Sequence, residues 1–413
     1  MIVDCSKYIG KCSCGREHIL DTKKIVVGYD ALKDFEQLMD EVGLGGKRRA
    51  VIYDTNIYKI TEGKHIKADQ EIVLDAKGLR SEDILIEKMM EQLDNPEVMV
   101  AFGAGTIMDF GRYPAYKLGI PFVAIPTLAS SDGFTANICS VIINGQKKSI
   151  PMLSPTLVVA DLDIIKGAPK WLVVSGVNDI LAKYISLLDW KIAHLVAGEY
   201  YCPMVADLGQ DALDTMRAAA DKMAATGEID HEAMTMAQMK GGLTMQLLNH
   251  SRAASGAEHL MAHMVEMQPP GLENAEGIHG ECVGVGTFLC LQEYKRVAKL
   301  KPKAKAFEPL SEEWIREKFS DRLAEGIIKE NENDVLRSFD PQRIVDCWDD
   351  ICALINELPE VEEMEKLYEA IGAKFRPEHI GIDPAMAGDL LPVSAAIRNR
   401  LTFQRMLRLL DFE

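Results

Sequence analysis

The chain has 413 residues, 47% hydrophobic and 26% charged, with a formal net charge of −17. That length exceeds one ordinary core and calls for two domains, and the acidic balance argues against a nucleic acid as partner. No apolar run approaches the ~18 residues that cross a bilayer, and the start MIVDCSKYIGKCSCG lacks an apolar signal core. The expectation is a cytoplasmic protein without membrane contact.

In chain order, the first motif is CSCGREH, with Cys12, Cys14 and His18, and with Cys5 upstream. A metal is one reading. The C-x-C spacing is tighter than structural zinc sites usually show, and Gly15 marks a hairpin turn. The nine cysteines, mostly single within apolar segments, are read as reduced thiols.

From about residue 24 to 165, short β-rich runs alternate with helical ones. KIVVGYDAL enters a helix, KRRAVIYDTNIYKI is a buried strand ending at Asp54, and EIVLDAK follows. VMVAFGAGTIMDFGRYPAYKLG and IPFVAIPTLASSDG continue the series. Strand, Gly-rich turn, helix, strand predicts a parallel sheet covered by helices. Asn144-Gly145 signals a hairpin. After Lys166 the apolar spacing becomes helical and strand-like runs nearly vanish. The expected organisation is therefore an α/β Rossmann-like domain over 1–168 and an all-α domain over 169–413. EMQPPGLENAEG and KLKPKAKAFEPLSEEW are read as surface passages between helices.

Four constellations carry chemistry. In AFGAGTIMDFGRY a strand feeds Gly103-Ala104-Gly105 and a helix begins at once, so backbone N–H groups can meet a pyrophosphate; a ligand-free βα turn has the same pattern. Asp54 can accept hydrogen bonds from a ribose diol, which leans towards NAD over NADP, or it can cap the next helix. PTLASSDGFTAN, around Asp132, sits where ligands bind in open α/β folds, or is a serine-rich turn. In SGVNDILAKY, Asp179 and Lys183 stand four residues apart and read plainly as a surface ion pair, although Leu181, Ile185 and Leu188 indicate burial. In SGAEHLMAHMVEM, His259 and His263 share a helical face, and His279 follows after a helix break. Packing histidines and a divalent-metal site both satisfy this pattern.

In this order the motifs resemble the dehydroquinate synthase/iron-containing alcohol dehydrogenase superfamily, and within it the bacterial sn-glycerol-1-phosphate dehydrogenases. GEYYCPMVADL and AAIRNRLTFQRML extend the similarity through nearly the whole chain. The resemblance implies a dehydroquinate synthase-like fold with Asp179, His259 and His279 as ligands of one Zn, Ni or Fe ion. It implies His263 and Asp132 beside the substrate. It places Asp54, Gly103, Ala104, Gly105, Thr106, Ile107, Thr127 and Ser130 around NAD, possibly NADP. Two departures stand out: Asn178 where relatives carry glycine, and Ala136 where a serine often touches the cofactor. The implied reaction is reversible reduction of dihydroxyacetone phosphate by a homodimer, the phosphate met by loop N–H groups with Lys183 or Arg252. A polyol dehydrogenase acting on an unphosphorylated alcohol, and a non-catalytic nucleotide-binding paralogue, are the competing readings.

Overall fold

The computed structural model describes residues 3–413. Six strands form one parallel sheet: β1 (Lys24–Gly28), β2 (Arg49–Asp54), β3 (Gln70–Leu74), β4 (Val98–Gly103), β5 (Phe122–Pro126) and, after a hairpin, β8 (Leu157–Asp161). The hairpin is β6 (Ile138–Ile143) and β7 (Gln146–Pro151), turning at Asn144 and Gly145, both at positive φ, as the Asn-Gly signal predicts. The sheet order is β1-β8-β5-β4-β2-β3. Position explains composition here. β4 (VMVAFG) and β5 (FVAIP) are buried at every residue, whereas edge strand β1 alternates, because only interior strands are covered on both faces.

Strand order also fixes where a ligand can enter. From β2 the chain moves to β3 on one side, and from β4 it moves to β5 on the other, while β2 and β4 are neighbours. Their carboxyl ends, Asp54 and Gly103, therefore flank the switch point at which open α/β sheets leave a crevice. Helix α1 (Gly105–Leu118) starts there.

The remainder is mostly helical: α2 (Lys170–Leu181), α3 (Lys183–Ala197), α4 (Pro203–Thr226), α5 (His231–Leu248), α6 (Ala257–Glu266), α7 (His279–Val297) and shorter helices beyond. Two expectations need correction. The KLKPKAKAFEPLSEEW passage is not all surface loop, because Pro302–Ala304 pairs antiparallel with Leu410–Phe412; a ladder spanning more than a hundred residues leaves no local pattern. The stretch Lys170–Ala197 is long and apolar enough to cross a membrane, contrary to the count of apolar runs, but 83% of its most apolar window is buried inside the protein. It is the central helix pair of the core. That core is continuous between the halves: residues under the sheet such as Ile107 and Phe122 share a cluster with Leu187, Trp190, Met239 and Leu243.

Asp189, fully buried in α3, ties the helices together. Its Oδ1 accepts from the Tyr294 hydroxyl (3.0 Å) and the Phe403 amide (2.9 Å), and its Oδ2 accepts from the Ala257 amide (2.9 Å) that opens α6. Burial pushes this carboxyl up to about 6, against the opposing pull of Arg252. A carboxyl raised by folding contributes stability that is complete below its ordinary 3.8 and is lost as pH rises through about 6. The stability of the native protein relative to Asp189→Asn should therefore fall by up to about 3 kcal/mol across that window, read from denaturant midpoints at several pH values. A difference that is flat or rises with pH would contradict this.

Candidate active site

Three helices bring Asp179, His259 and His279 together. Asp179 lies near the end of α2, His259 on α6 and His279 at the first position of α7. Asp179 Oδ1 is 3.5 Å from His259 Nε2 and 3.6 Å from His279 Nε2. These gaps are long for hydrogen bonds, but they match the ~3.4 Å edge between donors each ~2.1 Å from one tetrahedral ion. The outer nitrogens are already committed. His259 Nδ1 donates to Glu258 (2.8 Å) and His279 Nδ1 donates to Glu266 (2.9 Å). A carboxylate only accepts, so both Nδ1 atoms carry a proton and both Nε2 atoms are turned towards Asp179. A second grouping, His263, Glu266 and His279, also has its donor atoms within 4.8 Å of one another. It would have to use a Glu266 that already accepts from His279 and pairs with Lys147 at 2.8 Å, so the Asp179 set fits a cation better.

The electrostatics agree with that choice. His259 is pushed up to about 9, because Asp179 and Glu258 outweigh the burial that opposes its charge. His263 lies well below its ordinary range because it is buried, and its Nδ1 is an orphaned buried atom. One imidazole is thus drawn towards positive charge and its neighbour is held neutral.

The cluster opens into a cavity of about 680 Å³ that also reaches Ala104, Gly105 and Thr106 at the start of α1. No side chain caps that helix, so its first N–H groups are free for an anion. The two glycines differ. A Cβ at Gly103 would come within 2.7 Å of Ile107, whereas at Gly105 it would meet nothing. Gly103 therefore serves helix–strand packing, and Gly105 leaves room in the cavity. Ser130 and Ala136 line the cavity too, while Asp54, Gly103, Ile107 and Thr127 do not. Asp54 caps the helix Thr55–Ile60 through Oδ1, which accepts from Asn56 and Ile57 at 2.9 Å. The Thr127 hydroxyl is buried without a partner.

The chain is 30% identical to the glycerol-1-phosphate dehydrogenase [NAD(P)+] of Geobacillus stearothermophilus, over 97% of this chain and 96% of that protein. A protein of the same description from Geobacillus thermodenitrificans is 31% identical over 86% of this chain and 80% of its own. The chain belongs to the glycerol-1-phosphate dehydrogenase family. A family model described as iron-containing alcohol dehydrogenase matches residues 26–169. An iron-containing alcohol dehydrogenase from Corynebacterium glutamicum shares the fold, with a TM-score of 0.60, 15% identity and 95% of each chain covered.

Against the family pattern, Asn178 is accommodated by a glycine opposite it. Its side chain donates to the Lys374 carbonyl at 3.2 Å, and a Cβ on Gly284 would come within 2.3 Å of it. Lys183 is not in a surface pair with Asp179. The helix breaks at Ala182, and Lys183, fully buried, bonds Asp132 Oδ2 at 2.7 Å. Arg252 is likewise consumed, by Glu199 at 2.8 Å and by the Asp189 and Leu401 carbonyls. Neither Lys183 nor Arg252 lines the cavity; Arg80, Arg112 and Lys147 do. Glu258, Glu266 and Lys147 were missed from sequence. The two glutamates flank the histidines in AEHLMAHMVE and could have been weighed as their orienting partners, but Lys147 arrives from a distant hairpin. Glu258→Gln should weaken divalent-cation binding by about 10–100-fold, measured by competition with a chromophoric chelator. Unchanged affinity would separate Glu258 from the donor cluster.

Proposed function

We propose that this chain reversibly reduces dihydroxyacetone phosphate to sn-glycerol 1-phosphate with NADH or NADPH, using one divalent metal ion. The observation that carries the reading is the convergence of Asp179, His259 and His279 in the same cavity as the uncapped start of α1. We read residues 1–168 as the nucleotide-binding domain and 169–413 as the metal- and substrate-binding domain, in a cytoplasmic homodimer.

Asp179, His259 and His279 would hold the ion, which when bound supplies Lewis-acid polarisation of a carbonyl. Every other task falls to the chain. The α1 N–H groups and the open space at Gly105 receive the cofactor's pyrophosphate, with Asp54 Oδ2, free of the cap, available to the ribose and favouring NAD. Asp132, clamped through Oδ2 by Lys183, keeps Oδ1 for a substrate hydroxyl. His263, held neutral by burial, positions the proton that the new hydroxyl takes up. Lys147 replaces Lys183 and Arg252 as the cation for the phosphate, because it lines the cavity beside Glu266.

The direct test follows NADH absorbance with dihydroxyacetone phosphate before and after chelation, then with Zn²⁺, Ni²⁺ or Fe²⁺ restored. Loss and recovery are expected, and activity surviving complete metal removal would sink the proposal. His259→Ala should lose metal, whereas His263→Ala should keep it and lose rate by about 10²–10⁴-fold; equal metal loss in both would mean the roles are misassigned.

Lys147→Ala should raise KM for dihydroxyacetone phosphate at least tenfold and leave the rate with unphosphorylated dihydroxyacetone unchanged. Equal losses on both substrates would remove Lys147 from phosphate binding, and equal native rates on both would favour a polyol dehydrogenase.

A further inference from the structure

A second donor cluster lies apart from the cavity. The segment Gly10–Lys11 pairs antiparallel with Glu17–His18, and the turn between them closes with Cys12 N–H donating to the Arg16 carbonyl (2.9 Å) and Gly15 N–H donating to the Cys12 carbonyl (3.1 Å). Gly15 sits at φ +85°, a conformation that glycine adopts without penalty. The turn places Cys12 and Cys14 on one side and His18 on the returning strand. Cys202, at the start of α4, completes the set. One donor atom from each of Cys12, Cys14, His18 and Cys202 lies within 4.8 Å of the others.

The spacing is that of a coordination shell. Cys12 Sγ is 3.7 Å from Cys202 Sγ, and His18 Nε2 is 3.3 Å from both Cys14 Sγ and Cys202 Sγ. Zn–S bonds of ~2.3 Å and a Zn–N bond of ~2.0 Å predict tetrahedral edges of about 3.8 Å between sulfurs and about 3.5 Å between sulfur and nitrogen. A disulfide needs its sulfurs at ~2.05 Å, so Cys12 and Cys202 are not bonded. The imidazole is oriented from behind: His18 Nδ1, itself buried, lies 2.9 Å from the Leu247 carbonyl at the end of α5. A carbonyl only accepts, so Nδ1 carries the proton and the Nε2 lone pair faces the sulfurs. The Tyr200 hydroxyl lies 3.1 Å from Cys14 Sγ, within reach to donate to a thiolate there.

We propose that Cys12, Cys14, His18 and Cys202 form a structural zinc site of the Cys₃His type, which fastens the N-terminal hairpin to the helical half of the molecule. Binding releases the thiol protons still present and forms three Zn–S bonds and one Zn–N bond, with no change in oxidation state. The four ligands leave no open position, so the site is structural, and none of them lines the active-site cavity. What it braces is α5. The far end of the brace, Leu247, belongs to the helix whose Met239 carbonyl accepts from Thr135 at 2.8 Å and whose Gly241 and Gly242 pack directly on Asp132 and Thr135. Cys5 is outside the set, and the reading of Cys12 and Cys14 as plain reduced thiols gives way to one of metal thiolates.

The test is metal content of the full-length chain, purified under reducing conditions without chelator. His259→Ala removes the active-site donor, and the protein should still carry one equivalent of zinc per chain. Cys14→Ser and Cys202→Ser in that background should each lose it and melt several degrees lower, whereas Cys347→Ser should not. Should the serine variants fail to fold, the intact chain grown with Co²⁺ decides: a thiolate-to-cobalt charge-transfer band with tetrahedral d–d absorption supports the site. This signature depends on sulfur ligands, so it is independent of whether the reading of the nitrogen- and oxygen-donor cavity holds. A zinc-free His259→Ala protein whose Cys12, Cys14 and Cys202 react freely with a thiol reagent would overturn the proposal. A Cys12–Cys202 disulfide in the purified chain, found as a cross-linked peptide by mass, would overturn it in favour of a redox pair.

Discussion

The architecture of the site depends on one buried carboxylate. Asp179 is almost wholly removed from water, and an isolated charge there would be prohibitive. The fold therefore surrounds it with partners from every side. The Asp132 amide donates to Oδ2 at 3.1 Å, and His259 and His279 present Nε2 to Oδ1. Burial pushes its pKa upward, but the two histidines, with Lys183, hold it below the ordinary carboxylate value. In meeting the needs of one charge, the chain joins the loop after β5 to α2, α6 and α7, which is also the junction between its two halves.

Glycine makes that junction possible. A Cβ at Gly176 would lie 1.8 Å from the Ala129 carbonyl, and one at Gly280 would lie 2.1 Å from the Ser175 carbonyl. Helix α2 thus touches the loop on one side and α7 on the other with no side chain between. The same economy appears on α5, where Gly242 would otherwise strike Thr135 and the Asp132 carbonyl. Removing the side chains lets donor atoms from separate helices approach within bonding range of one point. Second-layer carboxylates then fix their orientation: Asp189 receives the first amide of α6, Glu258 holds His259 and Glu266 holds His279. The Asp132–Lys183 pair lies in the same layer. Removing one member of such a buried pair commonly costs about 3–5 kcal/mol, so Lys183 holds Asp132 in place from behind.

Much of this was legible in the chain itself. The uniformly apolar runs of β4 and β5, the Asn144-Gly145 turn and the change of period near residue 166 follow from backbone sterics and burial, which act locally. The histidine spacing placed His259 and His263 on one helical face for the same reason. Periodicity does not reveal contacts between distant segments. Lys183 was paired with its helical neighbour Asp179, because nothing local reveals a break at Ala182 or a partner 51 residues away. Arg252 looked free for a phosphate until Glu199 and two carbonyls took it up. Lys147, on a hairpin, comes to rest against Glu266 only after the halves pack.

The cysteines mark the same boundary most sharply. Cys12, Cys14 and His18 occupy one hairpin, and the sequence alone determined that turn, because Gly15 and the strand pattern around it act over a few residues. Three donors at close spacing remained ambiguous, since a fourth was needed to distinguish thiols from a coordination shell. Only the tertiary structure brought Cys202 beside them, through the packing of the hairpin against α4 and α5. Local sterics and apolar period thus determined the sheet, the helices and which residues carry chemistry. Long-range packing decided which of them share a site, because charge pairing and donor geometry are satisfied between segments that the sequence keeps far apart.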